Sequence, residues 1–414
     1  MGQICSKICN TTESAKDSQY EQTPKINNAI PINNLTHGEN TQLLNSTKLE
    51  QKQQNGQLPQ QSVQQLQLSI KTEDQKTVEA PKKKDLTYKD FDRLQNLGSG
   101  AYGDVILVKK KTNNKQFAMK IIKKSKIVSR NLNPQMIIEK NVLLENKHPF
   151  LVRLKYSFQT EKKLYLVMEY CPGGELYTYL VNNKKFSIEV SRFIAAEVLL
   201  GLEYLHKSMK IIYRDLKPEN ILISEDGHLK IADFGLAKQF KREDELTTTL
   251  RGTPEYIAPE VILAEQTGKG YGLQCDIWAF GIFLFEIISG NPPFTDKNRN
   301  WAGIKQKILQ NKPQFTADFT EESQDLICKC LKDNPLERPN WDEIKVHPFF
   351  SKIDWEVLLS KGIESPLKKL IPKRQGNLIQ RPRPIFETQT NDKYEQLNGF
   401  TYDPQSHCNP NKEY

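Results

Sequence analysis

Tyr213-Arg214-Asp215-Leu216-Lys217-Pro218-Glu219-Asn220 is the stretch on which the reading of this chain turns, because it sets a carboxylate, an ammonium and an amide within six residues. Working outward, Asp233-Phe234-Gly235 follows 13 residues after Asn220 and offers a carboxylate of the kind a hard, oxygen-preferring cation such as Mg²⁺ takes. Upstream, Gly98-Ser99-Gly100-Ala101-Tyr102-Gly103-Asp104-Val105 is a G-x-G-x-x-G-x-V run between two strand-like segments. Missing side chains there let backbone N–H groups come close to phosphate oxygens, although a glycine-rich hairpin turn would read the same way. Ala118-Met119-Lys120 places a lysine inside an apolar strand, where it needs a counter-charge. Glu139, on an amphipathic helical pattern around Gln135 to Glu145, is the expected partner.

Taken in order, and with Ala258-Pro259-Glu260 beyond them, these segments resemble the protein kinase family across residues 91–350, with Tyr213 where His is more usual. The resemblance implies an α+β fold of two lobes: a small β-rich N-lobe with one key helix and a larger, mainly helical C-lobe. It implies ATP and Mg²⁺ as cofactors. Asp215 would accept the hydroxyl proton of the substrate, Lys217 would steady the moving phosphoryl group, and Asn220 and Asp233 would hold metal. Lys120, oriented by Glu139, would meet the α and β phosphates. Nucleotide contacts are expected from Gly98, Ser99, Gly100, Ala101, Tyr102, Gly103, Val105, Ala118, Lys120, Met168, Glu169 and Leu222. Arg338 is the expected partner of Glu260, and Asp276 the expected brace of the catalytic-loop backbone.

Thr253-Pro254-Glu255-Tyr256, together with Lys217, resembles serine/threonine rather than tyrosine kinases. Glu175 and Glu219 match the acidic positions with which basophilic relatives hold an arginine, so Arg three residues before the acceptor is expected; a ribose contact is the other reading of Glu175. Thr247-Thr248-Thr249-Leu250-Arg251-Gly252-Thr253 is similar to the activation segment of AGC kinases, with Thr249 at the phosphorylation position beside Arg214. Arg251 stands where that group usually has cysteine, and Asp276-Ile277-Trp278 where it has D-W-W. Leu397-Asn398-Gly399-Phe400-Thr401-Tyr402 resembles the AGC hydrophobic motif, with Thr401 as a second regulatory site. Thr388 and Thr390 are available for a turn motif, but neither precedes proline. An upstream phosphoinositide-dependent kinase acting on Thr249 is implied by the resemblance alone.

The 414 residues carry a formal charge of +9, a mild excess that calls for no nucleic-acid partner. Seven cysteines form no C-x-x-C pair, and no secretory hydrophobic core is present, so a reducing, cytoplasmic setting is expected. The longest apolar run, Ile277 to Ile288, is too short for a span and contains Glu286. Cys328 and Cys330, two apart in a helical pattern, read as buried thiols rather than metal ligands. Residues 1–80 hold 14 Gln and 8 Asn with Tyr20 as the sole Phe, Tyr or Trp, which reads as a disordered arm. Its start, Met1-Gly2-Gln3-Ile4-Cys5-Ser6, fits N-myristoylation at Gly2. One such chain gives only marginal binding, and the arm, with 7 Lys against 8 Asp plus Glu, has no polybasic patch. Cys5 and Cys9 are then candidates for palmitoylation, with unmodified thiols as the alternative. Residues 351–414 read as a tail with aromatic anchors. A monomeric kinase acting on protein substrates is expected, sited in the cytoplasm or at membranes. A membrane-anchored pseudokinase scaffold is the competing reading, while a calcium-dependent kinase would require EF-hands of which the sequence has no example.

Overall fold

The computed structural model describes residues 85–99, 103–129, 132–242, 245–298, 300–371, 383–385 and 393–404. The expectations for Gly2, Cys5, Cys9, Gly100, Ala101, Tyr102, Thr388 and Thr390 fall outside them.

Alternating and short continuous apolar runs build the small lobe. β1 (Phe91–Ser99), β2 (Gly103–Lys110) and β3 (Gln116–Lys123) form an antiparallel meander. Next come α1 (Lys124–Val128) and α2 (Asn133–Glu145), the latter with a proline in its first turn, where the missing N–H costs nothing. β4 (Leu154–Gln159) and β5 (Lys163–Glu169) complete the sheet, with β5 inserted between β3 and β4. One face carries an aromatic cluster of Phe91, Phe117, Tyr156, Phe158 and Tyr165, with Phe158 and Tyr165 stacked at 4.8 Å. The other face receives α2 through Met136, Val142 and Leu143. Register sets Lys120 opposite Val105 on one side and Leu166 on the other, so the lysine stands in the middle of the sheet.

The large lobe opens with β6 (Gly174–Glu175) and α3 (Leu176–Asn183). α4 (Ile188–Lys207) is N-capped by the Ser187 hydroxyl, which accepts from the Val190 N–H. β7 (Ile211–Ile212), β8 (Ile221–Ile223), β9 (Leu229–Ile231) and β10 (Lys238–Gln239) then lie close together, with β7 paired to β10 and β8 between β6 and β9. These two small sheets leave the Tyr213–Asn220 stretch between β7 and β8, and Asp233 just past β9. α5 (Pro259–Thr267) precedes α6 (Gln274–Ser289), which is buried on every side from Cys275 to Ile288. That is the packing of a central core helix. Gly290 ends it at φ 89°, where a Cβ would lie 1.9 Å from the Lys184 carbonyl oxygen, so only glycine fits. α7 (Trp301–Gln310), α8 (Glu321–Cys330), α9 (Trp341–Lys345) and α10 (Trp355–Leu359) complete the lobe, with α8 packed along α6 and Trp341 of α9 set edge-on to Phe280. Cys330 is buried against α6, but Cys328 is exposed. The expectation that both thiols are buried is corrected, since residues two apart on a helix point in different directions.

The C-terminal segment stays with the two lobes. Leu358 and Leu367 are fully buried in the core of the large lobe. β11 (Arg383–Pro384) pairs with β1 as an added edge strand. At the opposite edge, Ser157 of β4 exchanges two backbone hydrogen bonds with Tyr402, at 2.9 and 2.7 Å, and the Phe400 side chain is completely buried.

Candidate active site

Between the lobes lies a cleft of about 740 Å³. Its upper wall is apolar, from Val105, Ala118 and Met168, and Leu222 closes it from below. Gly98 and Gly103 border its mouth, while Ser99 is turned aside, donating from its hydroxyl to Asp104 at 2.8 Å. Glu169 lines the cleft, yet its carboxylate is engaged by the Arg153 N–H and by Lys230, each at 2.9 Å.

At the back, the Lys120 ammonium donates to Glu139 Oε1 at 2.7 Å and to Asp233 Oδ1 at 3.0 Å. Lys120 is 12 % exposed and Glu139 1 %, whereas half of Asp233 (51 %) is open to the cleft. Burial opposes the charge on Lys120, but Asp233 and Glu139 outweigh it and hold its pKa above the ordinary lysine value. The same lysine lowers Asp233. Burial pushes Glu139 up, against the pull of Lys120. A full ammonium contact at 2.7 Å supports the ionised pair, and Glu139 Oε2 is a buried oxygen without a hydrogen-bond partner among the described residues.

In front of them, Asp215 is held by three side chains. Thr253 donates its hydroxyl to Oδ1 at 2.7 Å, Lys217 donates to Oδ1 at 3.1 Å, and Asn220 donates to Oδ2 at 2.8 Å and to the Asp215 carbonyl at 2.7 Å. Lys217 also reaches the Thr253 hydroxyl at 2.9 Å, which closes a small ring. In the sequence Thr253 marks only the acceptor type; its contact with the carboxylate spans 38 residues and leaves no local signal.

Arg214 and Asp233 both have left-handed backbones, at φ 68° and 51°, a conformation costing non-glycine residues about 1 kcal/mol or more. Asp276 supports the first of these turns by accepting from the Tyr213 N–H at 2.7 Å and the Arg214 N–H at 2.9 Å. Behind it, Trp341 Nε1 donates to His206 Nδ1 at 3.0 Å, so His206 Nε2 carries the proton that Asp276 accepts at 2.8 Å. Arg338 and Glu260 form a bidentate pair at 2.6 and 2.7 Å.

Arg214 links this centre to the activation segment. Its Nε donates to the Leu236 carbonyl at 2.7 Å, and its NH1 donates to the Thr249 hydroxyl at 3.0 Å. Tyr271, buried on the loop before α6, donates its hydroxyl to the Thr249 carbonyl at 2.6 Å, and its backbone bridges Thr247. Thr401 is exposed beside the buried Phe400. Glu175 and Glu219 sit at the edge of the cleft, close enough that Glu219, after burial, raises the Glu175 carboxyl. Glu286 was not foreseen. Burial first, then Glu219 and Glu255, push its carboxyl up to about 8, and its Oε2 has no partner among the described residues.

The protein kinase domain model matches residues 91–350. The chain belongs to the protein kinase family. It is 43 % identical over 292 residues to the RAC family serine/threonine-protein kinase homolog of Dictyostelium discoideum, covering 70 % of this chain and 63 % of that one. It is 38 % identical over 331 residues to serine/threonine-protein kinase YPK1 of Saccharomyces cerevisiae, covering 77 % and 48 %. It is 43 % identical over 293 residues to the cAMP-dependent protein kinase catalytic subunit PRKX of Homo sapiens, covering 70 % and 78 %. The kinase thus spans less than two thirds of the first two relatives' length, and its likeness is to kinases of the AGC group.

Proposed function

We propose that this chain is a serine/threonine protein kinase that uses ATP and Mg²⁺ to phosphorylate proteins carrying arginine upstream of the acceptor. The reading rests on one observation: Lys120, Glu139 and Asp233 meet at the back of the cleft that Asp215 and Asn220 also line. The cleft suits the cofactor chemically. Apolar walls at Val105, Ala118, Met168 and Leu222 fit a flat base, an ammonium fits phosphate oxygens, and carboxylate and amide oxygens fit a hard cation. When bound, Mg·ATP supplies the γ-phosphoryl group and the cation that offsets its charge.

Phosphoryl transfer asks a protein chiefly for positioning and electrostatics. Glu139 fixes the direction of Lys120, which would meet the α and β phosphates, and Asp233 and Asn220 would supply oxygens to the metal. Thr253, Lys217 and Asn220 fix the Asp215 carboxylate, which accepts the hydrogen bond of the substrate hydroxyl and so aims its oxygen. Lys217 adds positive charge at the same place. Glu175 and Glu219 would hold the upstream arginine, and Glu286, kept protonated beside Glu219 and Glu255, would ionise more readily once that cation is bound.

Regulation belongs to the same proposal. Phosphate on Thr249 would bring about −1.5 to −2 charge to a hydroxyl that Arg214 already binds. Phosphate on Thr401 would strengthen a tail whose anchor, Phe400, packs beside the helix carrying Glu139. Another kinase acting on Thr249, acylation at Gly2 with Cys5 or Cys9, attachment to a cytoplasmic membrane face and a monomeric state complete the proposal. Mass analysis of the N-terminal peptide tests the acylation.

The deciding experiment measures ³²P transfer from Mg·ATP to a Ser/Thr peptide library, comparing the Thr249-phosphorylated protein with its Asp215→Asn variant. Transfer that concentrates on peptides with upstream Arg and disappears in the variant is expected. A folded, phosphorylated parent that transfers nothing would sink the enzyme and leave a binding scaffold.

A further inference from the structure

Gln135 lies half-buried in the first turn of α2, and its side-chain Nε2 donates to the Ala237 carbonyl at 2.7 Å, across 102 residues of sequence. Each end of that bond is four residues from a group of the cleft, Gln135 from Glu139 and Ala237 from Asp233. On a helix that interval is about one turn, so Gln135 and Glu139 share a face of α2. Ala237 is fully buried, and its N–H donates to the Phe234 carbonyl at 3.0 Å, which folds the segment after Asp233 into a turn. The start of α2 has few other ties. Leu132, its N-cap, gives no side-chain hydrogen bond to the orphan N–H groups of the first turn. Met136 is buried, but an apolar contact is non-directional and does not fix the rotation of a helix. Rotation matters to Glu139, because its contact with Lys120 runs through Oε1 at 2.7 Å. Arg214, which touches the Thr249 hydroxyl, takes the Leu236 carbonyl at 2.7 Å. Two neighbouring carbonyls are therefore held separately, one by the arginine beside Thr249 and the other by the helix that carries Glu139.

We infer that Gln135 is a positioning residue: its bond to Ala237 fixes the rotation of α2 so that Glu139 meets Lys120, and it does so without a phosphate on Thr249. Its effect on turnover rests on the kinase reading above, whereas the contact between Glu139 and Lys120 exists in the protein apart from that reading. The bond joins an uncharged amide to a carbonyl, so its strength does not depend on the charge state of the activation segment. A neutral hydrogen bond of this kind shifts an equilibrium about fivefold, the equivalent of about 1 kcal/mol.

The test uses the full-length Thr249→Ala protein, which no phosphate at that position can assist, as the parent for two variants. Gln135→Met keeps the length of the side chain but has no donor. Gln135→His carries a ring Nε2 as many bonds from Cα as the amide nitrogen, and at about pH 8 it is neutral and able to donate. Acylation of the Lys120 amine by an amine-reactive ester, in the absence of nucleotide and read by peptide mass analysis, reports how often the Glu139 contact opens. Lys230, buried and paired with Glu169, is the internal control. Gln135→Met is expected to raise the Lys120 rate about fivefold with Lys230 unchanged, and to lower kcat about fivefold at constant KM for peptide; Gln135→His is expected to recover both. Equal Lys120 rates in the parent and Gln135→Met overturn the inference. A rise shared by Lys230, or one that Gln135→His fails to recover, overturns it too, because loosened packing is then the cause. So does a rise in the Lys120 rate with kcat unchanged. If no protein transfers phosphate, a Thr249-phosphorylated one included, while the Lys120 rates follow the expected pattern, the kinase reading fails and the positioning contact stands.

Discussion

Glu286→Gln is the substitution with the largest calculable consequence. In the folded protein the carboxyl titrates near 8, against an ordinary value of 4.5, because it is buried and faces Glu219 and Glu255. At pH 7 the unfolded chain carries it ionised, whereas the folded chain carries it neutral, so folding must take up a proton. At about 1.36 kcal/mol per pH unit, the interval from 4.5 to 7 costs about 3 kcal/mol. The cost is absent below pH 4.5, where both states are protonated, grows through the interval, and levels off above pH 8 at roughly 5 kcal/mol. Glutamine has the same shape and no proton to take up. Thermal unfolding of Glu286→Gln should therefore show a Tm higher than the parent's by about 5–10 °C at pH 7.5, the gain vanishing near pH 4.5. The same variant should raise KM for Arg-containing peptides, since the carboxylate that destabilises the free enzyme is the one a cationic side chain would stabilise. A Tm difference that is the same at pH 4.5 and pH 7.5 would refute the argument, as it would then owe nothing to titration.

Further expectations concern the tail, the activation segment and the core. Phe400→Ala should cost about 3–5 kcal/mol of tail docking, read as protease cleavage within residues 393–404, with a partial loss of transfer. Undiminished protection would show that the backbone bonds to Ser157 hold the tail alone. Tyr271→Phe removes the hydroxyl bonds to Thr249 and Arg214; at about 1 kcal/mol, the unphosphorylated protein should lose about fivefold in kcat. The Thr249-phosphorylated protein should lose less, and equal losses would count against a role for these two bonds in holding Thr249. Asp276→Asn replaces one acceptor by a donor facing buried N–H groups, and should lower kcat about 10- to 100-fold with KM for ATP little changed. A change confined to KM would contradict a role in positioning Asp215.

Parts of the site were legible because their chemistry is locally demanding. A lysine in the middle of an apolar strand must find an anion, and Glu139 on the next long helix is that anion at 2.7 Å. The stretch from Tyr213 to Asn220 sits between two short apolar runs, so its placement between β7 and β8 follows from its neighbours. What could not be read involves distance or backbone state. Nothing near Thr253 signals that its hydroxyl holds Asp215, nor does anything near Trp341 signal that it steers the His206 tautomer behind Asp276. Left-handed turns at Arg214 and Asp233 carry no glycine to announce them. Glu286 figured in the sequence only as a charge that disqualified a membrane span; its meaning depends on Glu219 and Glu255, which lie 67 and 31 residues away along the chain. Cys328 shows the converse: the two-residue helical spacing that argues against a shared metal also turns one of the two thiols outward, so the expectation of two buried thiols holds for Cys330 alone.

The two strand-like pieces of the tail, at Arg383–Pro384 and at Tyr402, bond to β1 and β4, the outermost of the five strands that the small lobe builds from residues 91–169. Both rims of that sheet are therefore occupied by the chain's own end. Open rims present rows of unsatisfied N–H and C=O groups that recruit strands from other molecules. A proteolytic cut near Phe350 would do more than remove Thr401. It would uncover two sticky borders and vacate the slot that Phe400 fills, and the trimmed protein should self-associate under conditions where the intact one stays dispersed.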